Sequence, residues 1–362
     1  MTAAVRVLQV VRPAQGGIRT HVLALLDGLD PALITCAVAA PSDFTAEAVR
    51  HPLVAATIPL DIAPRLSLAR DLMAARRLAH VVPQFADVVH AHGARAAWIC
   101  ALAHRHISFP LLFTAHNLVD ADLAGRLGIS FIGRHLHKAI AVSPSVADSL
   151  TACGLSRTKI QVVPNGVDLT HFGPAAPTAR QKARLSLGIL ESDFVIAAAA
   201  RLSPEKGIDM LLAAAGQRES ALFLIAGSGP EQTTLMRSCP PNVRLLGRVS
   251  DVRCLLAATD VFAVPSRREG QGIAALEAMA SGVPLAASSV GGLADMLTDG
   301  ENALLVPPND PDSLAAALGR LQSEPRLCRH LAQNALGLVR KTYSLEPMLD
   351  ALTAVYLDAN LG

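Results

Sequence analysis

The sequence predicts an α/β fold class with two doubly wound parallel sheets, one in each half of the chain. Short apolar runs rich in Val, Ala and Leu alternate with helical stretches from end to end, and this scheme occurs twice. At 362 residues the chain is too long for one ordinary core, and a turn- and proline-rich stretch separates the two occurrences. We therefore expect two facing domains with a ligand cleft beyond the carboxyl ends of their strands.

The strands are predicted from short apolar runs that end at turn residues. Seven lie in the first half: VRVLQVV (5–11), ITCAVAA (34–40), AATIPL (55–60), DVVHAH (87–92), PLLFTAH (110–116), AIAVS (139–143) and IQVVPN (160–165). Six lie in the second half: FVIAAAA (194–200), ALFLIAG (221–227), VRLLG (243–247), DVFAVPS (260–266), PLAASS (284–289) and NALLVPP (302–308). After Asp310 the pattern becomes helical to the end of the chain.

The stretch NGVDLTHFGPAAPTARQKA, which begins at Asn165, has the turn signal and prolines of a linker. We place the domain boundary near residue 172. This gives an N-terminal domain over 1–172, a C-terminal domain over 173–345 and a terminal helix over 346–362.

Composition excludes several classes of protein. No apolar run reaches the roughly 18 to 20 residues that span a bilayer, and the first apolar run is predicted to be a strand rather than a signal sequence. We expect a cytoplasmic protein. The six cysteines form no Cys-x-x-Cys pair, so neither a zinc knuckle nor a disulfide framework is predicted. Residues 1–172 carry 15 Lys and Arg against 11 Asp and Glu, a mild excess that suits an anionic acceptor or a membrane surface but is also common by chance.

The stretch SRREGQGIAALEAMASG predicts an anion site. A helix should begin near Gly270 to Gly272, where its first amide groups lack partners and the glycines permit close approach of a ligand. Glu277 lies about 8 Å further along the helix, where its carboxylate is placed to accept hydrogen bonds from a ribose diol. Glu269, before the glycines, is placed to accept from a sugar beyond the phosphates. The alternative is that Glu269 complements the helix dipole and Glu277 is a solvated helix residue.

Two cations follow another predicted strand, in the stretch AARLSPEKGID. Arg201 and Lys206 flank a Ser-Pro-Glu turn, where they are placed to clamp a diphosphate and neutralise the charge it gains as a leaving group. Surface ion pairing is the alternative.

The first half supplies glycines and histidines at the ends of strands. In RPAQGGIRTH, Gly16 and Gly17 are placed to bring backbone amides to a ligand, or serve only the turn. In FTAHN, His116 follows a strand and suits hydrogen bonding or proton transfer near neutral pH. His90 and His92 share a strand face but lack an evident third metal ligand, so we predict that they are structural or line the substrate.

Two short motifs are weak signals. AGSGPE (226–231) begins like a dinucleotide fingerprint, but Gln232 occupies the position of the third glycine, which argues against a dehydrogenase. No Walker lysine motif occurs. Asp-x-Asp appears at 120–122 and at 310–312, and the second resembles a helix N-terminus.

Taken in chain order, the motifs resemble the retaining GT-B glycosyltransferases of family 4 over nearly the whole sequence. The stretches that carry the resemblance are GG (16–17), FTAHN, AIAVSPSVADSL, VVPNGVD, ARLSPEKGID, FLIAGSGPE, VRLLGRV, PSRREGQGIAALEAMASGVPLAASSVGGLADML and ALLVPPNDPDSLAAAL. The most specific part is the Glu-x7-Glu block with Arg-x4-Lys upstream.

The resemblance implies a role for each matching residue of the C-terminal domain. Arg201 and Lys206 match the pair that binds the diphosphate, Glu277 the ribose-binding glutamate and Glu269 the residue that faces the donor sugar. Backbone contacts to the sugar and phosphates are implied for the three matching residues Gly270, Gly272 and Ile273. Contacts beside the nucleobase are implied for Arg248 and Val249.

For the N-terminal domain the resemblance implies that His116 contacts the donor sugar near the reacting centre and that the acceptor binds there. It also implies a terminal helix that crosses back to this domain, no metal or cofactor, and substitution on one face of the sugar. A double displacement with Glu269 as nucleophile stays open. Gln271 occupies a position where the family varies, so the resemblance does not determine which donor sugar is used.

The sequence thus predicts a retaining glycosyltransferase that moves a hexose from a nucleotide-diphosphate sugar to a saccharide, lipid-linked or small-molecule acceptor, without nucleic acid. The alternatives are a GT-B-fold nucleotide-sugar epimerase and a non-catalytic sugar-nucleotide-binding protein. The stretch RLSLARDLMAARRLAH (65–80) has arginines among apolar positions. It is predicted to be an ordinary surface helix, or an amphipathic helix that attaches the protein to the inner face of the cell membrane.

Overall fold

The computed structural model describes residues 4–13, 16–63 and 66–361. The chain divides into two compact units. Unit 1 takes the residues up to Asn165 together with those from Leu345 onward, and unit 2 takes Gly166 to Ser344. The sequence boundary was predicted near residue 172. Residues 166–172 lie in unit 2, where Val167 is buried and its amide donates to the carbonyl oxygen of Tyr343 at 2.9 Å.

Unit 1 contains a seven-stranded sheet in the order β3-β2-β1-β4-β5-β6-β7, with every pairing parallel. Its strands are β1 (Val5–Val11), β2 (Ile34–Ala40), β3 (Val54–Pro59), β4 (Val88–His92), β5 (Leu111–Ala115), β6 (Lys138–Ala141) and β7 (Ile160–Val162). Its helices are α1 (Gly17–Gly28), α2 (Ser42–Ala48), α3 (Leu68–Phe85), α4 (Ala94–Ala103), α5 (Leu123–His135) and α6 (Pro144–Ala152), with α15 (Leu345–Leu361) at the end of the chain. The direction of winding reverses between β1 and β4, so ligands are expected beyond the carboxyl ends of these strands.

Unit 2 contains a six-stranded parallel sheet in the order β10-β9-β8-β11-β12-β13. Its strands are β8 (Phe194–Ala199), β9 (Ala221–Ala226), β10 (Val243–Gly247), β11 (Val261–Val264), β12 (Leu285–Ser288) and β13 (Leu304–Val306). Its helices are α7 (Pro177–Ser186), α8 (Ile208–Gly216), α9 (Gln232–Arg237), α10 (Val252–Ala258), α11 (Ile273–Ala280), α12 (Gly291–Met296), α13 (Pro311–Ser323) and α14 (Pro325–Thr342). Here the winding reverses between β8 and β11.

Each of the thirteen predicted runs overlaps an observed strand, which confirms two doubly wound sheets. The prediction succeeds because most of the strands are buried on both faces and read as continuous apolar runs. The Asp-x-Asp at 310–312 begins a helix as predicted: Asp310 accepts from the amide of Ser313 at 2.9 Å. Asp122 of the other Asp-x-Asp also caps a helix, because it accepts from the amide of Gly125 at 2.7 Å.

The terminal helix α15, predicted over 346–362, packs in unit 1 against α1, β1 and β4. Its buried Tyr356 reaches the sheet, where the hydroxyl bonds to Nδ1 of His90 at 2.8 Å and accepts from Nε2 of Gln9 at 3.2 Å. A polar network under a terminal helix fixes its position on the sheet more narrowly than apolar contacts alone.

None of the helices in the described ranges combines the length and the apolar character needed to cross a membrane.

We predict that Tyr356→Phe lowers the free energy of unfolding of unit 1 by about 2 kcal/mol, because the buried Nδ1 of His90 loses its partner and Nε2 of Gln9 keeps only the weak contact with Sγ of Cys36. Urea unfolding followed by circular dichroism measures this. Tyr343→Phe, which removes a hydroxyl that makes no hydrogen bond to a described residue, is the matched control. Equal midpoints for the two variants would contradict the network.

Candidate functional site

The loops that follow β8 and β11 bring Lys206 and Glu269 together at the point where unit 2 reverses its winding. Nζ of Lys206 donates to both carboxylate oxygens of Glu269, at 2.7 and 2.9 Å, and Ser266 donates to the nearer oxygen at 3.0 Å. The side chains are 23% and 11% exposed, so the pair is only partly screened by water. The sequence predicted both residues for one site but did not predict this ion pair.

A second cross-link holds the same two loops together. Arg267 forms a bidentate ion pair with Asp209, both distances being 2.7 Å, and donates to the carbonyl oxygen of Pro204 at 2.8 Å. The amides of Arg267 and Arg268 donate to the carbonyl oxygen of Glu205. The guanidinium of Arg267 keeps the pKa of Asp209 below its usual range. The sequence reasoning missed Arg267, although it lies inside the SRREG stretch.

Gly207 is required where the loops touch. It has a φ of +63°, and an added Cβ would collide with the carbonyl oxygen of Pro265. Lys206 is the neighbour of this glycine, so the close approach fixes where its side chain leaves the backbone.

Helix α11 begins at Ile273, directly after the predicted window. Its N-cap Gly272 has a φ of +93° and supplies no side-chain cap, so the first amides are not satisfied by a capping side chain. The loop before it is supported by α12, because the amide of Gly292 donates to the carbonyl oxygen of Glu269 at 3.1 Å. Gly270 is buried within this loop, and Ile273 is partly buried at the helix start. The arrangement can bind an anion at the positive end of the α11 dipole.

Glu277 lies one turn into α11 and is partly buried. Burial, together with the negative charge of Asp251, raises the pKa of its carboxyl to about 7. The alternative of a solvated helix residue therefore does not describe Glu277. A partly desolvated carboxylate gains more from a hydroxyl donor than an exposed one does.

The remaining predicted residues of unit 2 are less constrained. Arg201 is exposed at the start of the loop that follows β8, and its charge helps to lower the pKa of Glu205. Arg248 is exposed after β10, whereas Val249 packs against the core. The predicted contacts of Arg201 with phosphate and of Arg248 and Val249 with the nucleobase therefore stay predictions.

The AGSGPE motif serves packing in unit 2. An added Cβ at Gly227 would collide with the carbonyl oxygen of Ala200, and one at Gly229 would collide with that of Leu202. The two glycines therefore let the β8 and β9 loops touch. This packing role accounts for the glycines of the incomplete dinucleotide fingerprint without a bound nucleotide.

Unit 1 gathers four imidazoles at its switch point. His90 and His92 lie on β4, His116 follows β5, and His21 projects from α1. Ring centroids of His92 and His116 are 5.6 Å apart, and those of His21 and His116 are 4.8 Å apart. The sequence analysis singled out His90, His92 and His116 but missed His21. His21 lies on a helix about seventy residues before His90, and no local sequence pattern connects the two.

Hydrogen bonds set the protonation of these rings. Gln9 accepts through Oε1 from Nε2 of His92 at 2.8 Å, so Nδ1 of His92 is the unprotonated nitrogen. It faces Nε2 of His116 at 3.3 Å, which must then be the donor. His116 therefore keeps its lone pair on Nδ1, where it can accept a hydroxyl proton.

Burial keeps the four imidazoles neutral. It is the largest cause that lowers the pKa of His21 to about 4 and that of His90 to about 3, and it holds the pKa of His92 well below its usual value. The pKa of His116 is lowered by burial, by the neighbouring imidazoles and by the charge of Arg12. A neutral His116 suits hydrogen bonding better than donation of a proton near pH 7.

Three of the imidazoles also meet the first requirement of a metal site. The nearest nitrogens of His21, His92 and His116 lie within 4.8 Å of one another among the described residues. No carboxylate belongs to the trio, and the Nδ1 of His92 that a metal would need is the acceptor in the hydrogen bond from His116. The site can hold a metal only if that hydrogen bond breaks.

Gly16 and Gly17 begin α1 at the same end of unit 1. Gly16 is the N-cap with a φ of +73°, and an added Cβ would meet no atom within 4 Å. Ala14 and Gln15 of the same motif lie outside the described residues. Both glycines are exposed, so their amides are open to a ligand.

Comparison with known proteins finds a glycosyltransferase family model for each half of the chain. A family model described as Glycosyl transferases group 1 matches residues 193–324, and one described as Glycosyltransferase Family 4 matches residues 15–171. A D-inositol 3-phosphate glycosyltransferase of Actinosynnema mirum is 33% identical over 312 residues, which cover 76% of this chain and 73% of the relative. A GDP-mannose-dependent monoacylated alpha-(1-6)-phosphatidylinositol monomannoside mannosyltransferase of Corynebacterium glutamicum is 37% identical over 218 residues, covering 55% and 56%.

Solved structures confirm the GT-B class of two Rossmann-like domains. The Anabaena protein HepE, crystallised with UDP and glucose, superposes with a TM-score of 0.87 at 20% identity, covering 97% of this chain and 99% of that one. A sucrose-phosphate synthase from Thermosynechococcus elongatus gives a TM-score of 0.81 at 21% identity, covering 97% and 98%. At this identity the likeness concerns the fold. The epimerase alternative finds no support in these proteins.

We predict that Glu277→Gln stabilises the free protein at pH 8 and not at pH 4.5. The carboxyl has a raised pKa in the folded state, so the folded state binds the extra proton and its stability falls as pH rises from 4.5 through 7. Removing the charge should therefore recover up to roughly 3 kcal/mol above pH 7.

Urea midpoints measured between pH 4.5 and 8.5 test this expectation. Glu301→Gln makes the same chemical change at an exposed carboxylate and is the matched control. A Glu277→Gln variant whose advantage is equal at all pH values would show that the carboxyl is not desolvated.

Proposed function

This chain belongs to the group 1, family 4 glycosyltransferases, and we propose that it transfers a hexose with retention from a nucleoside-diphosphate sugar to an acceptor hydroxyl. The observation that carries the proposal is the Lys206–Glu269 pair beside the uncapped start of α11. A cation, a helix N-terminus and a carboxylate in that order match the needs of a leaving diphosphate and a hydroxylated sugar.

The donor is proposed to lie along α11. The first amides of the helix and Lys206 bind the diphosphate, with exposed Arg201 swinging in, and Glu277 accepts from the ribose about 8 Å further on. Backbone at Gly270, Gly272 and Ile273 contacts the sugar and phosphates, and Arg248 and Val249 border the base. The relatives differ in donor: one is named for GDP-mannose, and one neighbour holds UDP and glucose. The proposal therefore does not choose the base.

Lys206 is proposed to change partner during the reaction. Without donor it neutralises Glu269. When the diphosphate binds, the ammonium moves toward the phosphate oxygens, and Glu269 becomes free to accept from hydroxyls of the sugar. As the glycosidic bond breaks, Lys206 and Arg201 stabilise the charge that develops on the leaving phosphate.

Retention is proposed to occur by substitution on one face of the sugar. The leaving phosphate takes the proton of the acceptor hydroxyl, and the new bond forms on the side that the phosphate leaves. Support comes from Glu269, whose carboxylate keeps the hydrogen bond from Ser266 after Lys206 has moved to the diphosphate, because this bond lowers its reactivity as a nucleophile. His116 is proposed to accept a hydrogen bond from a donor-sugar hydroxyl through Nδ1, and the amides of Gly16 and Gly17 to donate to the substrate.

The acceptor is proposed to be a polyol, saccharide or glycolipid headgroup that binds to unit 1. Relatives are named for inositol 3-phosphate and for an acylated phosphatidylinositol mannoside, which suggests glycolipid or cell-surface polysaccharide synthesis. We place the reaction in the cytoplasm, where a nucleotide-sugar donor is at hand.

We predict that one class of nucleotide sugar stabilises the protein and that Lys206→Ala lowers turnover at least 100-fold with it. A ligand at a hundredfold excess over its Kd adds about 2.7 kcal/mol, which thermal shift against UDP-, GDP- and ADP-sugars detects, with NAD as the negative control. The loss of turnover follows from removing one stabilising donor to the leaving group.

Lys341→Ala, at an exposed lysine of α14, is the matched variant and should leave kcat unchanged. Stabilisation by NAD alone, or full turnover in Lys206→Ala, would overturn the proposed donor site.

We predict that transfer continues in excess chelator, because Lys206 and Arg201 carry the electrostatic task of a metal. Initial rates with and without EDTA after extensive dialysis measure this. Loss of activity that only zinc restores would assign a metal to the trio of His21, His92 and His116. Restoration by magnesium or manganese would instead require a carboxylate site.

A further inference from the structure

His21 is a buried imidazole whose nitrogens are poorly satisfied. It projects from α1 with only 4% of its surface exposed, and neither ring nitrogen makes a hydrogen bond of normal geometry to any described residue. Asn165 lies close enough to oppose the fall in pKa that burial causes. Buried polar side-chain atoms are nearly always hydrogen-bonded, so this exception indicates a ring that is able to bind a ligand.

The rings of His92 and His116 have the spacing of two ligands on one metal ion. Nδ1 of His92 and Nε2 of His116 face each other at 3.3 Å, which is longer than the roughly 2.7 to 3.2 Å of N–H···O hydrogen bonds. Two nitrogens that are each bound at about 2.0 to 2.1 Å to a tetrahedral ion lie about 3.4 Å apart. The pair therefore needs almost no movement to bind one ion.

Hydrogen bonds on the far side of His92 hold its ring in the orientation that a metal ligand needs. Its Nε2 donates to Oε1 of Gln9 at 2.8 Å, and Nε2 of Gln9 donates to the hydroxyl of Tyr356 at 3.2 Å. An imidazole that binds a metal usually donates its other ring N–H to an oxygen acceptor, which fixes the orientation of the ring and the nitrogen that carries the lone pair. These bonds make Nδ1 of His92 the nitrogen that can bind an ion.

We propose that His21, His92 and His116 bind a divalent transition-metal ion such as Zn²⁺, and that the bound ion inhibits sugar transfer. One nitrogen of each ring lies within 4.8 Å of one nitrogen of the other two, so His21 must approach the pair by up to roughly 1.4 Å to reach the ligand spacing of about 3.4 Å. The approach breaks no hydrogen bond of normal geometry between this ring and a described residue. Imidazole ligands favour zinc, copper or nickel over magnesium, calcium or manganese.

The ion can reach the three imidazoles from a cavity beyond the ends of β4 and β5. This cavity, of about 300 Å³, extends to His116 and is also lined by Arg12 and Arg95. The charge of Arg95 is offset by Asp71 at 2.7 Å, whereas the charge of Arg12 acts on His116 and opposes a second cation there. We therefore expect weaker binding than at structural zinc sites. Water from the cavity can take the fourth position of a tetrahedral ion.

Metal binding reverses the hydrogen bond that His116 offers to a substrate. The ion occupies the lone pair of Nε2, so the proton of that nitrogen moves to Nδ1 and the ring stays neutral. Nδ1 then donates a hydrogen bond and is unable to accept one from a sugar hydroxyl. Inhibition rests on the proposed function of His116, whereas metal binding itself does not.

The test is titration of the full chain, without an affinity tag, with Zn²⁺ in a calorimeter and with Co²⁺ by visible absorption spectroscopy. We expect one ion per chain and the intense visible bands of tetrahedral Co²⁺ in the unchanged protein. Gln9→Leu removes the acceptor that orients His92 and should weaken zinc binding by about 10- to 100-fold. His21→Leu removes a ligand and should weaken it by roughly 100-fold or more. His106→Leu makes the same change at an exposed imidazole and is the matched control.

Equal zinc affinity in His21→Leu and in the unchanged protein would overturn the metal site. So would sulfur-to-cobalt charge-transfer bands that disappear in Cys254→Ser, because the ion would then be bound by an exposed thiol. The titrations need no turnover, so their failure leaves the proposed sugar transfer untouched.

Initial rates of transfer, measured with the nucleotide sugar that the thermal-shift screen identifies, test the inhibition. They should fall as zinc occupies the unchanged protein and His106→Leu, and should stay constant in His21→Leu over the same zinc concentrations. Zinc that binds to the trio without lowering the rate would overturn the inhibition and the proposed role of His116, and would leave the metal site established.

Discussion

The site in unit 2 depends on loops that touch backbone to backbone beyond the ends of four strands. The glycines allow these contacts because they have no side chain. Gly207 touches the loop after β11, and Gly227 and Gly229 of the β9 loop touch the β8 loop. Gly292 touches the loop before α11. A side chain at any of these positions would collide with a carbonyl oxygen or a backbone carbon. The contact also determines where the charged residues are held, since Lys206 and Glu269 each adjoin a loop that a glycine has brought close. The positions of the charged side chains in this site therefore depend on the close packing of its glycines.

The charges on these loops divide into fixed and exchangeable pairs. Arg267 forms a bidentate ion pair with Asp209 and also donates to a backbone carbonyl oxygen, so its side chain is held in one position. Lys206 is a single ammonium on a flexible stem, so it can turn from Glu269 to a phosphate without breaking the connection between the loops. This division would keep the loops in place if Lys206 changes partner as proposed.

The sequence was sufficient to predict the fold and to predict that Lys206 and Glu269 lie close together, and it was insufficient to predict the other contacts of the unit 2 loops. Strands buried on both faces have a local signature, and residues that end neighbouring parallel strands must meet, so Lys206 and Glu269 were predicted together. The contacts between Arg267 and Asp209 and between Gln9 and Tyr356 have no local signature, because the partners are 58 and 347 residues apart. Desolvation of Glu277 was also invisible, since it depends on which helix face the core covers.

Burial acts in opposite directions on the two sets of titratable groups, and this suits the proposed chemistry. It raises the pKa of Glu277, which a ribose hydroxyl can restore to its charged form by donating a hydrogen bond. It lowers the pKa of His116, which therefore stays neutral at physiological pH. An oxocarbenium-like transition state carries positive charge on the sugar, and a protonated imidazole in contact with that sugar would oppose it. A neutral ring held by His92 and Gln9 can bond to a sugar hydroxyl without this repulsion. In the proposed reaction, the positive charges of Lys206 and Arg201 lie where the departing phosphate becomes negative.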